Sequence, residues 1–298
     1  MSNLIDPNGN HLGYEIDLED SEYLESTSAH FPEMRLSDPP PEIDYGHGFA
    51  IRNQGNRPSC RGHSLAAAGR MGARIAAGGD FDLDGDGQKG VAIKDDFSPL
   101  WCWVKTQQHG GTVGPNRGAT MGGGVKAATV DGFAREVVWP YSQSHTTRFP
   151  AEVVADAQRF KFKRQSTLRQ EEQVYEWLAS GQGPCEWGKG WPFSWVGGCL
   201  VDSGSSGRGG HATAIRGYWT GERVAREVPA IASRVKAEPY VYVCENSHGA
   251  NAQWRGLYFV TRRGMAATLA KRDTHLLGWS DLEGPFVRKF DWSKAKLI

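Results

Sequence analysis

The feature that most constrains this chain is a cysteine at the head of an alanine-rich run. Residues 53–68 read Asn-Gln-Gly-Asn-Arg-Pro-Ser-Cys-Arg-Gly-His-Ser-Leu-Ala-Ala-Ala. Alanine is the strongest helix former and serine is a common N-cap residue, so the run predicts a helix from Cys60 to about Ala77 with Ser59 as its cap. The glycine pair at 78–79 then ends the helix, because glycine readily adopts the left-handed conformation found at helix C-termini.

The position of Cys60 at this helix N-terminus predicts a reactive thiol. Unpaired backbone N–H groups and the positive end of the helix dipole favour the thiolate, which is the nucleophilic form. The polar neighbours Arg57, Arg61 and His63 predict exposed, positively charged surroundings, whereas a buried packing cysteine is the alternative. Six residues upstream, Gln54 carries a side-chain amide able to donate a hydrogen bond to an oxyanion beside the sulfur.

Two later segments supply a histidine and an asparagine. Residues 209–218 read Gly-Gly-His-Ala-Thr-Ala-Ile-Arg-Gly-Tyr and place His211 at the head of an alternating, strand-like run. Residues 242–249 read Tyr-Val-Cys-Glu-Asn-Ser-His-Gly and place Asn246 at the end of an apolar strand. A histidine within reach of a cysteine serves as a general base, and a third polar group fixes the orientation of its ring.

Cysteine, histidine and asparagine motifs in this order resemble those of the papain-like cysteine peptidases, in their bacterial-type branch, over about 43–264. The resemblance implies hydrolysis of peptide bonds through a thioester acyl-enzyme. It implies four catalytic roles: Cys60 as nucleophile, His211 as base, Asn246 as the group that orients the base, and Gln54 as oxyanion donor. It also implies substrate-binding roles for Gly118, which matches loosely the glycine that pairs with an extended substrate, and for Ala212 of the His-Ala motif.

The chain departs from the family pattern near this site: Arg57 stands in place of a half-cystine and His63 in place of an aromatic residue. Arg61 stands where the family has a tryptophan, and His248 replaces the tryptophan that shields the histidine–asparagine hydrogen bond from water. Trp254 is close enough in sequence to take over that shielding, although the sequence alone does not show whether it does. His63, one helical turn after Cys60, is an alternative base or half of a metal site. It cannot easily reach a leaving group across the cleft, however, and the pair lacks further well-spaced ligands.

Two other functions stay open on the same motifs. The same triad serves any thioester chemistry, so a deamidase or a transglutaminase is one alternative. A non-catalytic papain-like binding protein is the other, favoured by the departures at Arg61 and His248. Release of ammonia from glutamine indicates the first alternative, and failure to react with an epoxide or vinyl-sulfone probe indicates the second.

The order of predicted elements indicates a two-lobed α+β fold. Three further helices are predicted at about 99–110, 120–130 and 168–180, followed by strands at 212–219, 240–245 and 256–263. The resemblance implies a helical lobe that carries the nucleophile and an antiparallel β lobe that carries the histidine and asparagine. The predicted boundaries separate an extension at 1–42 from a peptidase domain at 43–298. Within that domain we expect the helical lobe at about 43–150, the β lobe at about 151–275 and a C-terminal tail at about 276–298. An insertion is predicted within the β lobe, at 219–239.

The composition argues against several classes of protein. The 34 basic and 34 acidic residues give a formal net charge of +0, which disfavours a general nucleic-acid binder. No window approaches the roughly 18 apolar residues of a membrane span, and the first residues lack the basic and apolar regions of a signal peptide. The five cysteines lack the spacing of a small secreted domain. We therefore expect a cytoplasmic protein, with leaderless export left open, that acts on a peptide or protein and requires no cofactor.

Residues 82–87, Asp-Leu-Asp-Gly-Asp-Gly, match the opening of a calcium loop. The alternate carboxylates of Asp82, Asp84 and Asp86 would converge on one cation, and glycine at the sixth position permits the sharp turn. The twelfth position is Ile93 rather than glutamate. A structural calcium ion and a solvated acidic turn both fit the pattern.

The first 42 residues contain too little apolar material for an independent core. They nevertheless carry an alternating Tyr-Glu-Ile-Asp-Leu run at 14–18 that is typical of a strand. Apolar groups left in water cost free energy, which favours docking of this segment on the rest of the chain. The resemblance makes the chain's own cleft the expected place, and packing on a distal face is the alternative.

Overall fold

The computed structural model describes residues 12–15, 23–25, 28, 38–79, 96–191, 195–204 and 209–286. Its helices are α1 (Cys60–Ala77), α2 (Pro99–Gly110), α3 (Met121–Lys126), α4 (Ala151–Ala157), α5 (Glu171–Ala179), α6 (Gly221–Glu227), α7 (Ala232–Val235) and α8 (Arg262–Leu269). A π-helical turn at Ala127–Asp131 extends α3, and a 3-10 turn at Pro229–Ile231 joins α6 to α7.

Helix α1 begins and ends at the residues that the sequence predicts. Gly78 follows it in the left-handed conformation, with φ of 72°, and donates its N–H to carbonyls of the last turn. Ser59 is the N-cap residue, as predicted, but its side chain makes no cap hydrogen bond, and its Oγ lies 2.6 Å from the hydroxyl of Tyr141. Ser98 caps α2 with its side chain, because its Oγ accepts a hydrogen bond from the N–H of Trp101 at 3.1 Å.

The strands of the described residues form one sheet. They are β1 (Ile43–Asp44), β2 (Lys161–Thr167), β3 (Cys185–Gly190), β4 (Leu200–Val201), β5 (Gly210–Trp219), β6 (Val241–Glu245), β7 (Leu257–Val260) and β8 (His275–Glu283). Their order is β2-β8-β3-β5-β6-β7-β4, with β1 paired to β5. Neighbouring strands are antiparallel except β4 and β7, which are parallel.

Strand β5 lies at the centre of the pairing and positions the site. On one side β3 pairs with it, with Lys189 opposite His211. On the other side β6 pairs with it, with Ala214 opposite Glu245. All ten residues of β5 are buried, including the polar side chains of His211, Thr213 and Arg216. The start of β5 and the end of β6 are thereby brought to the same edge.

The structure differs from the predicted elements in several places. Strand β7 ends at Val260, where a strand was expected to continue to 263, because Thr261 caps α8 by accepting a hydrogen bond from the N–H of Gly264 at 3.0 Å. Strand β3 escapes prediction because Cys-Glu-Trp-Gly-Lys-Gly has no apolar alternation, and all six residues are buried. The boundary predicted at about 276 falls inside β8, which is paired between β2 and β3.

Helix α1 packs between the other helices and the sheet. One apolar core joins Leu65 and Met71 of α1 with Ala214 of β5 and Trp279 of β8. The two lobes therefore share a core at the nucleophile helix, and displacement of α1 would expose large apolar side chains. The insertion predicted at 219–239 forms α6 and α7. In the part of the chain that the structure describes, no helix is both long and apolar enough to span a bilayer.

Candidate active site

Cys60 and His211 meet where the first turn of α1 faces the start of β5. The backbone N–H of Ala212 donates to Cys60 Sγ at 3.4 Å, which places the sulfur beside the residue that follows the histidine. Cys60, His211 and Ala212 are each completely buried. The structure thus brings together two residues that are far apart in the sequence, as the motif order predicts.

Asn246 holds the other side of the histidine ring. His211 Nε2 donates to Asn246 Oδ1 at 2.8 Å. Asn246 Nδ2 donates to Gln253 Oε1 at 2.8 Å and lies 3.2 Å from Nδ1 of His248. Because these partners fix the orientation of the amide, Oδ1 is the atom that faces the ring. His211 Nδ1 has no hydrogen-bond partner among the described residues.

Gln253 is a functional candidate that sequence reasoning misses. It has φ of 44°, which is unusual for a residue other than glycine and costs of order 1 kcal/mol or more. Such backbone persists where the surroundings require it, and here it directs the side chain onto Asn246. No sequence motif marks this position, because the signal lies in the backbone conformation.

Gln54 lies in the loop before α1 and is tied to the loop after Asn246. Its backbone N–H donates to Ser247 O at 2.8 Å, and Ser247 Oγ donates to its Oε1. Its Nε2 donates to Arg57 O at 2.9 Å, and Tyr141 OH donates to its main-chain carbonyl, also at 2.9 Å. These bonds fix the orientation of the Gln54 amide, with its oxygen bonded to Ser247 and its nitrogen bonded to the carbonyl of Arg57.

The aromatic cover of the histidine is Trp191, and Trp254 does not contact this ring. The Trp191 ring lies edge-on to His211 with centroids 4.1 Å apart, whereas Trp254 packs against Trp219 and Phe259. His248 lies beside the same histidine, with ring centroids 4.8 Å apart. Trp191 comes directly after β3, so a sequence analysis that misses β3 also misses the shield.

His63 is turned away from the role of base. Its Nδ1 lies 3.1 Å from Ser59 O, and its ring packs edge-on against Tyr141 at 4.6 Å. Burial lowers the pKa of His63 to about 3, with the nearby charge of Arg52 acting in the same direction. The described residues contain no group of three or more histidines, cysteines, aspartates or glutamates able to hold a metal ion. Asp82, Asp84 and Asp86 lie outside the described residues, so the calcium loop stays a prediction.

A short piece of the N-terminal extension, Leu12–Glu15, lies across the cysteine. Tyr14 N–H donates to Gly210 O at 3.2 Å, and Ala119 N–H donates to Gly13 O at 2.9 Å. A Cβ at Gly13 would overlap with the main chain of Pro58, and a Cβ at Gly118 would overlap with Gly13 O. The segment therefore bridges the two lobes through backbone pairing, which is consistent with an extension that occupies its own cleft.

Tyr14 fills a side-chain pocket next to the cysteine. It is 4% exposed. A Cβ added at Gly188 would lie 2.9 Å from both Met121 Sδ and Tyr14 Cζ, and one added at Gly210 would lie 3.0 Å from Tyr14 Cδ1. Two glycines on adjacent strands thus make room for one aromatic ring.

Burial dominates the electrostatics of the site. It raises the pKa of Cys60 to about 11, against the opposing effect of the N–H groups of Ala212, Gly13 and Arg61. Burial also lowers the pKa of His211 well below its usual value, and the charges of His248 and Lys189 add to this. The predicted exposure of Cys60 is therefore wrong. The helix N-terminus favours the thiolate, but desolvation under the N-terminal segment outweighs it and keeps thiol and imidazole neutral.

No protein-family model matches this chain, and no curated protein matches it. Solved structures do match. Xylellain, a cysteine protease from Xylella fastidiosa, superposes with a TM-score of 0.65 over 90% of this chain and 95% of its own at 20% identity. The proform of the ragweed pollen cysteine protease Amb a 11 has a TM-score of 0.56 over 84% and 68% at 16% identity. Procathepsin L2 from the larval midgut of Tenebrio molitor has a TM-score of 0.57 over 87% and 75% at 15% identity.

These similarities agree with the arrangement of the elements. The chain places helices around α1 on one side and an antiparallel sheet on the other, with a cysteine at the helix N-terminus and a histidine at the start of β5. Sequence identities of 15% to 20% carry information about fold rather than about substrates. The chain has the fold of the papain-like cysteine proteases.

Proposed function

We propose that this chain is a cysteine peptidase that hydrolyses peptide bonds through a thioester acyl-enzyme. The observation that carries the proposal is the line of contacts from Cys60 Sγ through Ala212 N–H and His211 to Asn246, with distances of 3.4 Å and 2.8 Å. The sulfur accepts a hydrogen bond from the residue next to the histidine, and the histidine bonds the asparagine, so a nucleophile, a base and an orienting amide lie together as acyl transfer requires.

The reaction follows from the protonation states of these groups. Nδ1 of His211 takes the thiol proton, and the Cys60 thiolate attacks the peptide carbonyl to form a tetrahedral oxyanion. The N–H of Cys60 and the amide of Gln54 stabilise that oxyanion. The imidazolium then protonates the leaving amine as the C–N bond breaks and leaves a thioester. Finally, water gives a proton to His211, attacks the thioester, and releases the acid and the thiol.

The extended substrate is proposed to bind where Leu12–Glu15 now lies. Backbone groups of Gly118–Ala119 on one lobe and Gly210 on the other offer the pairing that an extended peptide needs, and the pocket beside Met121 and Gly188 accepts an aromatic side chain. The covered cleft excludes substrate, so cleavage requires the segment to leave. Residues 12–15 are therefore an autoinhibitory segment in this proposal.

An epoxide or vinyl-sulfone probe tests the proposed function directly. The full chain and its Gly13→Val variant, in which the added side chain would overlap with Pro58 and lift the segment from the cleft, are incubated with the probe, the intact masses are measured, and the modified residue is mapped. We expect one adduct, at Cys60, and none in Cys60→Ala. The control Cys199→Ala, which removes a buried cysteine from the apolar cluster around Trp219, should be labelled at the wild-type rate. Labelling that persists in Cys60→Ala would move the nucleophile elsewhere.

A matched product assay separates peptidase activity from other thioester chemistry. Peptide substrates that contain glutamine are followed by mass spectrometry for new termini and by an ammonia assay. Hydrolysis predicts new termini without ammonia. Ammonia without new termini would assign a deamidase or transglutaminase. Absence of both products and of labelling in the Gly13→Val variant as well as in wild type would assign a binding protein.

A further inference from the structure

A buried ion pair lies directly behind the nucleophile. Arg61 follows Cys60 in α1, and its guanidinium pairs with the carboxylate of Glu186 on β3. Both side chains are 0% exposed. Strand β3 is also the strand that pairs with β5, with Lys189 opposite His211. The pair therefore connects the residue beside the nucleophile to the strand beside the base.

The carboxylate is held by donors from two further directions. Ser64, on the first turn of α1, donates its hydroxyl to Oε1 of Glu186, and Trp279 of β8 donates its Nε1–H to Oε2 at 3.2 Å. Burial raises the pKa of Glu186, whereas the charge of Arg61 and these hydrogen bonds lower it. The ion pair and the hydrogen bonds offset the free-energy cost of burying the carboxylate. Because these bonds are directional, they also fix the relative positions of the side chains that make them.

A glycine run makes room for the guanidinium. Arg61 Nε and Nη2 lie 3.4 Å from the carbonyl oxygens of Thr120 and Met121, where α3 begins. A Cβ at Gly124 of α3 would overlap with the guanidinium. Glycine inside a helix costs about 1 kcal/mol relative to alanine, so Gly124 needs a compensating reason, and space for Arg61 supplies it.

We propose that Arg61 and Glu186 are a positioning pair that fixes Cys60 against His211. The inference rests on the proposed peptidase function. The side chain of Arg61 cannot shift without breaking contacts to β3 and α3 at once, so the first turn of α1 is locked to the sheet. In the family that the sequence resembles, the position of Arg61 is occupied by tryptophan. This chain therefore has a buried ion pair where the family pattern has an apolar side chain.

The pair also acts on the sulfur through charge. Burial raises the pKa of Cys60, and the positive charge of Arg61 opposes that rise. Loss of the pair should therefore change the distance between the sulfur of Cys60 and the imidazole of His211. It should also destabilise the thiolate. A pair that serves stability alone would change neither.

The test compares two neutralised ion pairs in the full chain. Arg61→Met/Glu186→Gln removes both charges together, because a single substitution would leave one buried charge unpaired, and glutamine keeps an acceptor for Ser64 and Trp279. The matched control is Arg216→Met/Asp44→Asn, which neutralises another buried pair that joins β5 to β1 at 2.6 Å. For each we measure the melting temperature, kcat and KM on a fluorogenic peptide, and the pH dependence of Cys60 alkylation by iodoacetamide.

We expect the Arg61/Glu186 variant to lose about 10- to 100-fold in kcat with KM changed less than about threefold, since small displacements of reacting groups cost this much. The midpoint of its alkylation profile should move to higher pH. The control should lose melting temperature without either change. Arg61→Lys, which keeps the charge but loses the planar fork, should retain the alkylation midpoint and lose part of kcat.

Each outcome decides between the proposals. If wild type is labelled at Cys60 and the Arg61/Glu186 variant reacts with unchanged kcat and pH profile, the positioning role is wrong and the peptidase proposal stands. If both double variants lose kcat equally, the effect is general instability and the positioning role is also wrong. If neither wild type nor its Gly13→Val variant is labelled at Cys60, the proposed function fails, and with it the need for a positioning pair.

Discussion

Nε2 of His211 and Oδ1 of Asn246 lie 2.8 Å apart although 35 residues separate them in the chain. The pairing of β5 with β6 produces this proximity, because it sets Ala214 opposite Glu245 and so brings the residue after β6 to the start of β5. The hydrogen bond places the proton of the neutral imidazole on Nε2. The lone pair is then on Nδ1, which is the nitrogen that must accept the thiol proton.

Substitution of Asn246 should therefore impair proton transfer without unfolding the chain. We expect Asn246→Ala to lower kcat by roughly 100-fold, because the ring loses the bond that fixes its tautomer and orientation. Gln253→Ala, which removes only the partner of the Asn246 amide, should have a smaller effect in the same direction. Steady-state kinetics on a fluorogenic peptide measure both. Equal kcat in Asn246→Ala and wild type would show that this hydrogen bond does not orient the base.

The sequence predicts the parts of the site that depend on short-range order. The helix that begins at Cys60 is predictable because Ser-Cys precedes an alanine run and Gly-Gly ends it. Strand β6 is predictable because most of its side chains are apolar and β-forming, and β5 because Thr213, Ile215, Tyr218 and Trp219 are β-forming residues. The whole fold class follows from these elements together with the order of the motifs.

Other parts depend on contacts that a linear pattern does not record. Trp191 covers His211 only because β3 pairs with β5, and β3 has no periodicity of its own. The polar neighbours of Cys60 predict that it is exposed, yet Arg61 forms a buried ion pair with Glu186, 125 residues further along the chain. Charged neighbours in the sequence therefore do not imply exposure to solvent when the charge has a buried partner elsewhere in the chain.

Release of the N-terminal segment should activate the sulfur. Gly13→Val places side-chain atoms where Pro58 already lies, so Leu12–Glu15 must lift from the cleft. Water then reaches the sulfur, and the pKa of Cys60 should fall from about 11 towards the usual range, because desolvation is the main cause of its rise. At pH 8 the thiolate fraction increases, and alkylation by iodoacetamide should become about tenfold faster or more.

The matched control for this experiment is Asp38→Asn, an exposed position in the same extension. It should react at the wild-type rate. Removal of residues 1–40 is expected to act as Gly13→Val does, and to speed peptide cleavage as well. An unchanged alkylation rate in a folded Gly13→Val protein would mean that the segment does not limit access to Cys60.

His63 should make the fold sensitive to acid. Burial lowers the pKa of His63 from 6.5 to about 3. Below pH 6.5 this histidine therefore binds a proton in the unfolded chain, whereas in the folded chain it stays neutral until the pH approaches 3. The stabilising effect of the neutral ring is fully present above pH 6.5 and is lost as the pH falls from there to about 3. Between pH 8 and pH 5 the loss is about 2 kcal/mol in the free energy of unfolding.

Urea unfolding at these two pH values measures the effect of His63. His63→Gln, which cannot titrate, should lose about 2 kcal/mol less than wild type over the same interval, whatever its stability at pH 8. The comparison is made within each protein, so a general destabilisation by the substitution cancels. Equal losses in the two proteins would place the acid sensitivity on other groups.

The pocket that holds Tyr14 should select aromatic side chains in a substrate. A Cβ at Gly188 would lie 2.9 Å from Met121 Sδ, in the space that the tyrosine ring uses, so Gly188→Ala narrows the pocket. Overpacking of this kind costs about 1–3 kcal/mol, and we expect kcat/KM for peptides with tyrosine or phenylalanine in this pocket to fall about tenfold or more. Peptides with alanine there should be cleaved at nearly the wild-type rate, which controls for damage to the catalytic residues. A peptide series assayed in a Gly13→Val background, where the segment no longer competes, separates binding of substrate from release of the segment. If tyrosine and alanine peptides lose activity equally on Gly188→Ala, this pocket does not select the substrate.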